Sequence, residues 1–235
     1  MIGRFWRSAQ AVHQTLLDLL FPPRCVICRS ADADWFCPSC RSKIDPIIPP
    51  LCEQCGRPLD RHSCPYCKTA PLEIDGIRAM AFFEGNLRQA IHAFKYGHRP
   101  ELARVLGKLT GEYLILHPLP SDVIAAVPLH GLREKSRGYN QSLLLARFLG
   151  EQTKLPVWED VLIRVRATQS QVELNAVERH ANVQGAFAAD ERVAGKRILL
   201  IDDVCTTGAT MNACSVALKQ CGAKSVRGLA LARGR

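Results

Sequence analysis

An α/β protein built on a mostly parallel sheet is what this sequence predicts, from three observations. Beyond Pro71, short apolar runs alternate with helical patterns, the order of elements that builds a parallel sheet covered on both faces. One of those runs, Ile198–Ile201, leads into two adjacent aspartates and a hydroxyl-rich turn that opens a helix, the place where such sheets take their ligands. Ahead of Pro71, eight of the 11 cysteines are gathered between Cys25 and Cys67, so a second, smaller region precedes the sheet. With 235 residues, 47% hydrophobic, 23% charged and 6% aromatic, the chain has room for one α/β domain and an appendage, and wholesale disorder is excluded.

Residues 1–21 read as an N-terminal amphipathic helix. Phe5, Trp6, Ala9, Val12, Leu16, Leu17 and Leu20 recur at spacings of three and four, and the pattern stops before Pro22 and Pro23. Arg4, Arg7, Gln10, His13, Gln14 and Asp18 interrupt it too often for a bilayer span of about 20 residues. It has no lysine-rich face for a membrane surface, and packing on its own domain is the plainer expectation. Nor does it carry the unbroken apolar core and cleavage site of an export signal, so a cytoplasmic chain with reduced thiols is expected.

Residues 22–71 are short of aliphatic side chains and rich in Cys, Pro and Arg, too poor in apolar area to fold unaided. The cysteines form four CxxC pairs, Cys25/Cys28, Cys37/Cys40, Cys52/Cys55 and Cys64/Cys67, with eight residues between pairs in each half and 11 between the halves. A CxxC knuckle turns two thiolates toward one ion, and two knuckles complete a closed tetrahedral shell. Two structural zinc ions are therefore expected, with iron as the rival metal and disulfides disfavoured in the cytoplasm. Pairing is sequential or cross-braced, and the repeated interval favours sequential. His62 is a spare donor beside four sufficient cysteines, and Gly56 follows Cys55 where a knuckle often needs positive φ.

Zinc also changes the meaning of the charge. The formal net charge is +9, from 31 basic and 22 acidic residues. Eight thiolates and two Zn²⁺ lower this to about +5, so basicity argues only weakly for nucleic acid.

Over residues 72–235 the patterns run in order: strand 77–83, helix 87–96, helix 102–116, strand 123–127, helix 141–149, a strand near 161–163, a polar stretch 164–184, strand 197–201, helix 209–220 and strand 226–230. In the segment from Ile198 to Thr210, unpaired N–H groups and the positive end of a helix dipole suit a phosphate monoester. Thr206, Thr207 and Thr210 add hydroxyls, and Gly208 allows close backbone approach. Asp202 and Asp203 suit vicinal ribose hydroxyls, or a magnesium ion already chelated by phosphates. Neighbours on a strand point to opposite faces, so both reach one ligand only if the strand has ended. A helix cap with a solvated neighbour is the plain alternative. The turn lacks GxxxxGK[ST], which excludes a nucleotide-hydrolysing P-loop.

These thirteen residues resemble the phosphoribosyl pyrophosphate (PRPP) motif of type I phosphoribosyltransferases, with Ala209 where many of those enzymes have a second glycine. The resemblance implies ribose contacts from Asp202 and Asp203 and a cradle for the 5-phosphate from Cys205, Thr206, Thr207, Gly208, Ala209 and Thr210. Together with the cysteine module, nearly the whole chain is similar to the ComF family. That resemblance implies a type I phosphoribosyltransferase-like, mostly parallel sheet with flanking helices, preceded by the N-terminal helix and a small double zinc ribbon.

Other stretches resemble the same family: Phe94-Lys95-Tyr96-Gly97, and Val127-Pro128-Leu129 through Arg133, Arg137, Gly138, Tyr139, Asn140, Gln141 and Ser142. Leu129, Arg133, Lys135 and Arg137 are candidates for a pyrophosphate with its Mg²⁺. Arg164, Thr168, Gln171, Leu174, Arg179, Asn182 and Phe187 match the family's hood, where Arg166 and Arg179 are candidate phosphate ligands on a lid; a simple surface helix accounts for them as well. Cys205 is expected to be passive, although a helix N-terminus can lower a thiol's pKa. Cys214 and Cys221, on one helix face, are expected in the core.

The resemblance implies a cytoplasmic PRPP-binding protein that handles incoming single-stranded DNA in natural transformation and DNA utilisation, with competence-machinery proteins as partners. From the residues alone DNA binding is thinly supported, since stacking needs exposed rings such as Trp35, Phe36 or Tyr66. A transferase acting on an unidentified acceptor and a PRPP-sensing regulator are the alternatives.

Overall fold

The computed structural model describes residues 23–31, 34–60, 63–166 and 176–235. The N-terminal helix and the readings at His62, Thr168, Gln171 and Leu174 lie outside the described residues. Two short helices belong to the cysteine region, α1 (Pro38–Arg41) and α2 (Pro65–Thr69). The elements that follow are β1 (Ile77–Phe82), α3 (Gly85–Tyr96), α4 (Leu102–Leu116), β2 (Val123–Ala126), α5 (Gly131–Arg137), α6 (Gln141–Thr153), β3 (Leu162–Arg164), α7 (Ala176–Val183), β4 (Phe187–Ala189), β5 (Arg197–Cys205), α8 (Ala209–Gln220) and β6 (Ser225–Arg233).

The main sheet has the order β1-β6-β5-β2, and every pairing is parallel. Apolar side chains leave alternate faces of β5 and feed two separate cores. Ile198 and Leu200 pack with α8, β3 and β4, whereas Leu199 and Ile201 pack with α3, α4 and α6. Both faces are thus dry, as a parallel sheet requires. β3 and β4 form a separate antiparallel pair, which with α7 makes a small hood on the α8 side.

Three readings of the sequence change. The basic stretch from Gly131 to Arg137, to which the pattern assigned no element, forms α5, and the polar stretch contains α7 followed by β4. β5 does not end before the aspartates: it runs through Asp202 and Asp203 to Cys205, because β6 stays alongside to Arg233. What ends early is β2, whose last pairing is Ala126 with Ile201. Beyond Ile201 one edge of β5 has no strand beside it, and side chains of both faces can reach round that edge.

The two halves of the cysteine region lie on opposite faces of the sheet. Cys25, Phe36, Cys37 and Cys40 pack in the core with α3 and α4, and Cys52, Cys55 and Cys64 in the core with α8. The intervening chain crosses the outer edge of β1, where Pro46 bridges Ala81 and Ile47 N–H donates to the Met80 carbonyl at 3.1 Å. This covers an edge strand that would otherwise present open backbone groups. The second half is docked by Ile77 N–H donating to the Gln54 carbonyl at 2.8 Å. At the knuckle, Gly56 has φ of 71°, and a Cβ there would collide with the Ile77 carbonyl oxygen.

Gly56→Ala is therefore expected to cost about 2–4 kcal/mol, from positive-φ strain together with a forced backbone shift. Chemical denaturation of the zinc-loaded protein checks this, and a loss below about 0.5 kcal/mol refutes the docking contact.

Candidate functional site

The cysteines form two sets, Cys25, Cys28, Cys37, Cys40 and Cys52, Cys55, Cys64, Cys67, with all Sγ atoms of a set within 4.8 Å of one another. Pairing is sequential, as the repeated interval favoured. Sulfurs 2.3 Å from a central ion in a tetrahedron stand about 3.8 Å apart, and the measured separations are 3.7 Å for Cys28–Cys37, 3.7 Å for Cys52–Cys67 and 3.6 Å for Cys55–Cys64. These are too long for a disulfide, which needs about 2.05 Å. The electrostatics of the thiols make the same demand for a cation. Hydrogen bonding with Ser30 draws Cys28 down to about 6, whereas burial and its neighbouring thiols push Cys40 up to about 12. Four thiols cannot all ionise there without a divalent ion, so the donor set fits zinc held as a closed structural site.

The open edge of β5 lines a cleft of about 460 Å³. From β5 come Asp202, Asp203 and Val204; from the β2 exit come Val127, Pro128 and Leu129; Lys95 and Tyr96 come from α3, Arg133, Ser136 and Arg137 from α5, and Arg164 from the hood. The two aspartates leave opposite faces and are held differently. Asp203, buried, forms a 2.7 Å ion pair with Lys95. Asp202 accepts a hydrogen bond from the Ser142 hydroxyl at 3.0 Å and from the Asp203 N–H at 2.8 Å. Burial, then the adjacent Asp203, raise the Asp202 pKa to about 7, against the opposing pull of Lys95.

Four cationic side chains, Lys95, Arg133, Arg137 and Arg164, share the cleft with these two acids. The surplus of positive charge suits an anionic ligand, and the acids suit its hydroxyl donors. Arg137 is held in place, donating to Gln141 at 3.0 Å and lying 4.9 Å from the Tyr96 ring centre. Asn140 fixes the start of α6 by accepting from Ser142 N–H at 3.0 Å while donating to the Val127 carbonyl at 3.1 Å. This ties the β2 exit loop to the helix that carries Ser142.

Next to the cleft, the turn from Cys205 to Thr210 leads into α8. Gly208 adopts φ of 88°, and the Thr207 hydroxyl accepts from Ala209 N–H at 3.3 Å. Thr210 lines both this turn and the cleft. Cys205 is buried and its thiol is pushed up by that burial, so the helix end does not activate it. Cys214 is fully buried, and Cys221 is partly buried with its thiol donating to the Ala189 carbonyl at 3.2 Å.

Of the predicted site residues, the structure gathers Asp202, Asp203, Thr210, Leu129, Arg133 and Arg137 at one cleft, with Cys205, Thr206, Gly208 and Ala209 along the turn beside it. Lys135 is exposed instead: on α5, positions 133, 136 and 137 share a face and 135 does not. Arg166 is also outside the cleft, because it binds the carbonyls of Asn182 at 3.1 Å and Gln184 at 2.7 Å and so laces the hood together. Arg179, on α7, is not among the residues that line the cleft. Of the candidate stacking rings, Phe36 is core and Trp35 is partly buried with the Arg99 guanidinium 5.0 Å from its ring centre. Tyr66 is 55% exposed, and Arg57 lies 4.0 Å from its ring centre. Sequence reasoning assigns no site role to Lys95, Tyr96 or Arg164, although the Phe94–Gly97 stretch and Arg164 both carry the family resemblance.

Residues 16–70 match the double zinc ribbon domain family, and residues 101–235 match the phosphoribosyl transferase domain family. Over 229 residues the chain is 32% identical to the DNA utilization protein YhgH of Escherichia coli K12, covering 92% of this chain and 99% of that one. It is 29% identical over 225 residues to competence protein F of Haemophilus influenzae, covering 89% and 96%. It is 29% identical over 206 residues to competence protein ComFC of Bacillus subtilis, covering 84% and 83%.

The raised pKa of Asp202 sets a pH dependence of stability. Folding lifts it from 3.8 to about 7, so the folded chain holds a proton that the unfolded chain releases. This favourable contribution is complete below about pH 4 and is lost as pH rises through about 7. Asp202→Asn is expected to remove that decline and to stabilise the ligand-free protein at pH 8 by roughly 2 kcal/mol. Thermal melts of both proteins from pH 5 to 8 check it; parallel slopes refute it.

Proposed function

We infer that this chain, a member of the ComF family with a phosphoribosyltransferase fold and a double zinc ribbon, binds PRPP with Mg²⁺ and uses it in the cytoplasmic handling of incoming single-stranded DNA. The observation that carries the reading is the junction of two unlike features at one edge of β5. A hydroxyl-bearing turn at the start of α8 adjoins a pair of aspartates and four cations. A sugar phosphate with a diol and a second, pyrophosphate-bearing carbon matches that sequence of groups. The 5-phosphate would lie on Cys205–Thr210 and the diol on Asp202 and Asp203. The pyrophosphate would face Leu129, Arg133 and Arg137, with Lys95 and Arg164 near.

Magnesium bound with the pyrophosphate would neutralise charge there and ease departure of the leaving group. The chain's own residues do the rest. Ser142 and Lys95 hold the two carboxylates apart at hydrogen-bonding sites, and the α5 arginines offer donors where negative charge grows as the bond at the sugar carbon breaks. The names of the relatives, DNA utilization protein and competence protein, support the role in DNA handling. DNA would be gripped through phosphates more than through stacked bases, because among the described residues Phe36 is unavailable and Trp35 is partly covered. Competence-machinery proteins are the partners this role requires. A transferase reading has one observation of its own: Tyr96, 54% exposed, lines the cleft beside the Arg137 guanidinium, which lies over its ring at 4.9 Å, so a flat acceptor would add to that stack.

Calorimetry with PRPP and Mg²⁺ tests the reading. Saturable binding is expected, weakened at least about hundredfold by Asp202→Ala with Asp203→Ala, which removes two sets of charge-assisted hydrogen bonds. No uptake by folded protein, or an unchanged affinity in the double variant, overturns it. Single-strand binding that falls steeply with salt is expected for DNA handling, whereas pyrophosphate release beyond one equivalent per protein on adding an acceptor assigns the transferase reading instead.

A further inference from the structure

The second zinc knuckle reaches the phosphate turn through two arginines. Arg57 lies in the knuckle turn itself, its carbonyl accepting from Cys52 N–H at 2.8 Å. Its guanidinium passes by the Tyr66 ring, 4.0 Å away, and donates to the Thr206 carbonyl at 3.0 Å. Arg233, fully buried at the end of β6, donates to the Cys55 carbonyl with one nitrogen and to the Thr206 carbonyl with another at 3.4 Å. Two guanidinium groups therefore converge on one peptide oxygen, and their bonds run to backbone carbonyls, with no carboxylate partner among the described residues. Each also has a buried Nε without a hydrogen bond.

Arg233 is fully buried and Arg57 partly buried, and holding two cations there that no acid neutralises is costly unless their field is used. Here they lie between four thiolates, which with zinc carry a net charge of about −2, and a turn suited to an anion. Their contact also fixes direction. In a planar trans peptide, the carbonyl and the following N–H point opposite ways. With the Thr206 carbonyl clamped toward the zinc knuckle, the Thr207 N–H is turned outward, to the side where a phosphate would sit. Among the described residues the first knuckle has no such link: its carbonyl at Cys40 accepts from Asn86 of α3 at 3.0 Å, on the other face of the sheet.

We propose that Arg57 and Arg233 are positioning residues for anion binding, fixing the Thr206–Thr207 peptide so that the second zinc knuckle, and not the first, sets the affinity of the turn for phosphate. The proposal rests on the phosphate reading of Cys205–Thr210 and adds to it a dependence on one metal site. Binding and metal retention are then linked in both directions, so phosphate occupancy holds the second zinc more firmly.

The test uses the full-length protein with both zinc ions loaded and PRPP with Mg²⁺ as the probe. Arg57→Gln is expected to weaken binding about tenfold, the effect of losing one charged hydrogen bond, with zinc content still at two per chain by mass spectrometry. Arg57→Lys, which keeps the charge and one donor, should recover part of that loss. Arg41→Gln, which breaks the Arg41–Asp34 pair at 3.1 Å on the first knuckle, should leave affinity unchanged. Hydrogen exchange without ligand gives a readout independent of PRPP: the amides of 206–210 should exchange faster in Arg57→Gln and stay as in the parent in Arg41→Gln. In the unmutated protein, PRPP should slow zinc loss to a chelator from one of the two sites only. Unchanged exchange in Arg57→Gln, or equal effects from Arg41→Gln, overturns the proposal. If the parent takes up no PRPP, the phosphate reading fails, while exchange still decides whether Arg57 holds the turn.

Discussion

The site depends on an inequality of strand length. β5 and β6 remain paired to Cys205 and Arg233, whereas β2 leaves the sheet at Ala126, opposite Ile201. From Asp202 onward β5 keeps a neighbour on one side only, which holds its backbone straight while opening its other edge. A cleft can form there while β6 keeps the strand within the sheet. The helices close it from three sides: α3 brings Lys95, α5 brings the arginines, and α6 brings Ser142. The end of the strand, which the alternation of side chains seemed to demand, is replaced by the end of its neighbour.

Two adjacent carboxylates at a partly buried edge are poorly solvated and repel each other. The fold answers with different partners on the two faces, a lysine for Asp203 and a hydroxyl and an amide for Asp202. The result is unequal: Asp203 is paired, and Asp202 keeps a raised pKa. A site that is tense when empty gives a ligand with hydroxyl donors something to relieve. This is the usual relation between function and stability at a pre-organised site.

The cysteine region has a place in this economy of contacts that its composition does not announce. Its two halves grip opposite faces of the sheet, and the segment between them seals the β1 edge. Zinc is needed because so small a region has little apolar area of its own. Its docking on the sheet shares the core of the larger region, and on one face it ends against the Thr206 carbonyl, in the turn before α8.

Much was legible from residue order. The cysteine spacing favoured two sequential four-thiolate sets over a cross-braced arrangement, because each half repeats the same interval, and the fold gathers the thiols in those two sets. Period-2 and period-3.6 patterns located β1, β2, α4 and α8, since burial on one or both faces is written directly in those residues. The run from Ile198 to Thr210 marked the turn, as strand, acids, hydroxyls and glycine are all local features. Tertiary structure alone decided that Lys95 rather than Lys135 enters the cleft, that Arg166 laces the hood, and that Arg57 meets Thr206 across 149 positions of chain. Charged side chains carry no periodic signature of their destination; where a guanidinium or ammonium ends depends on which helix face turns inward and which carbonyls lie within reach. Local order therefore determined the elements and the ligand chemistry, and the packing of distant segments decided which cations serve it.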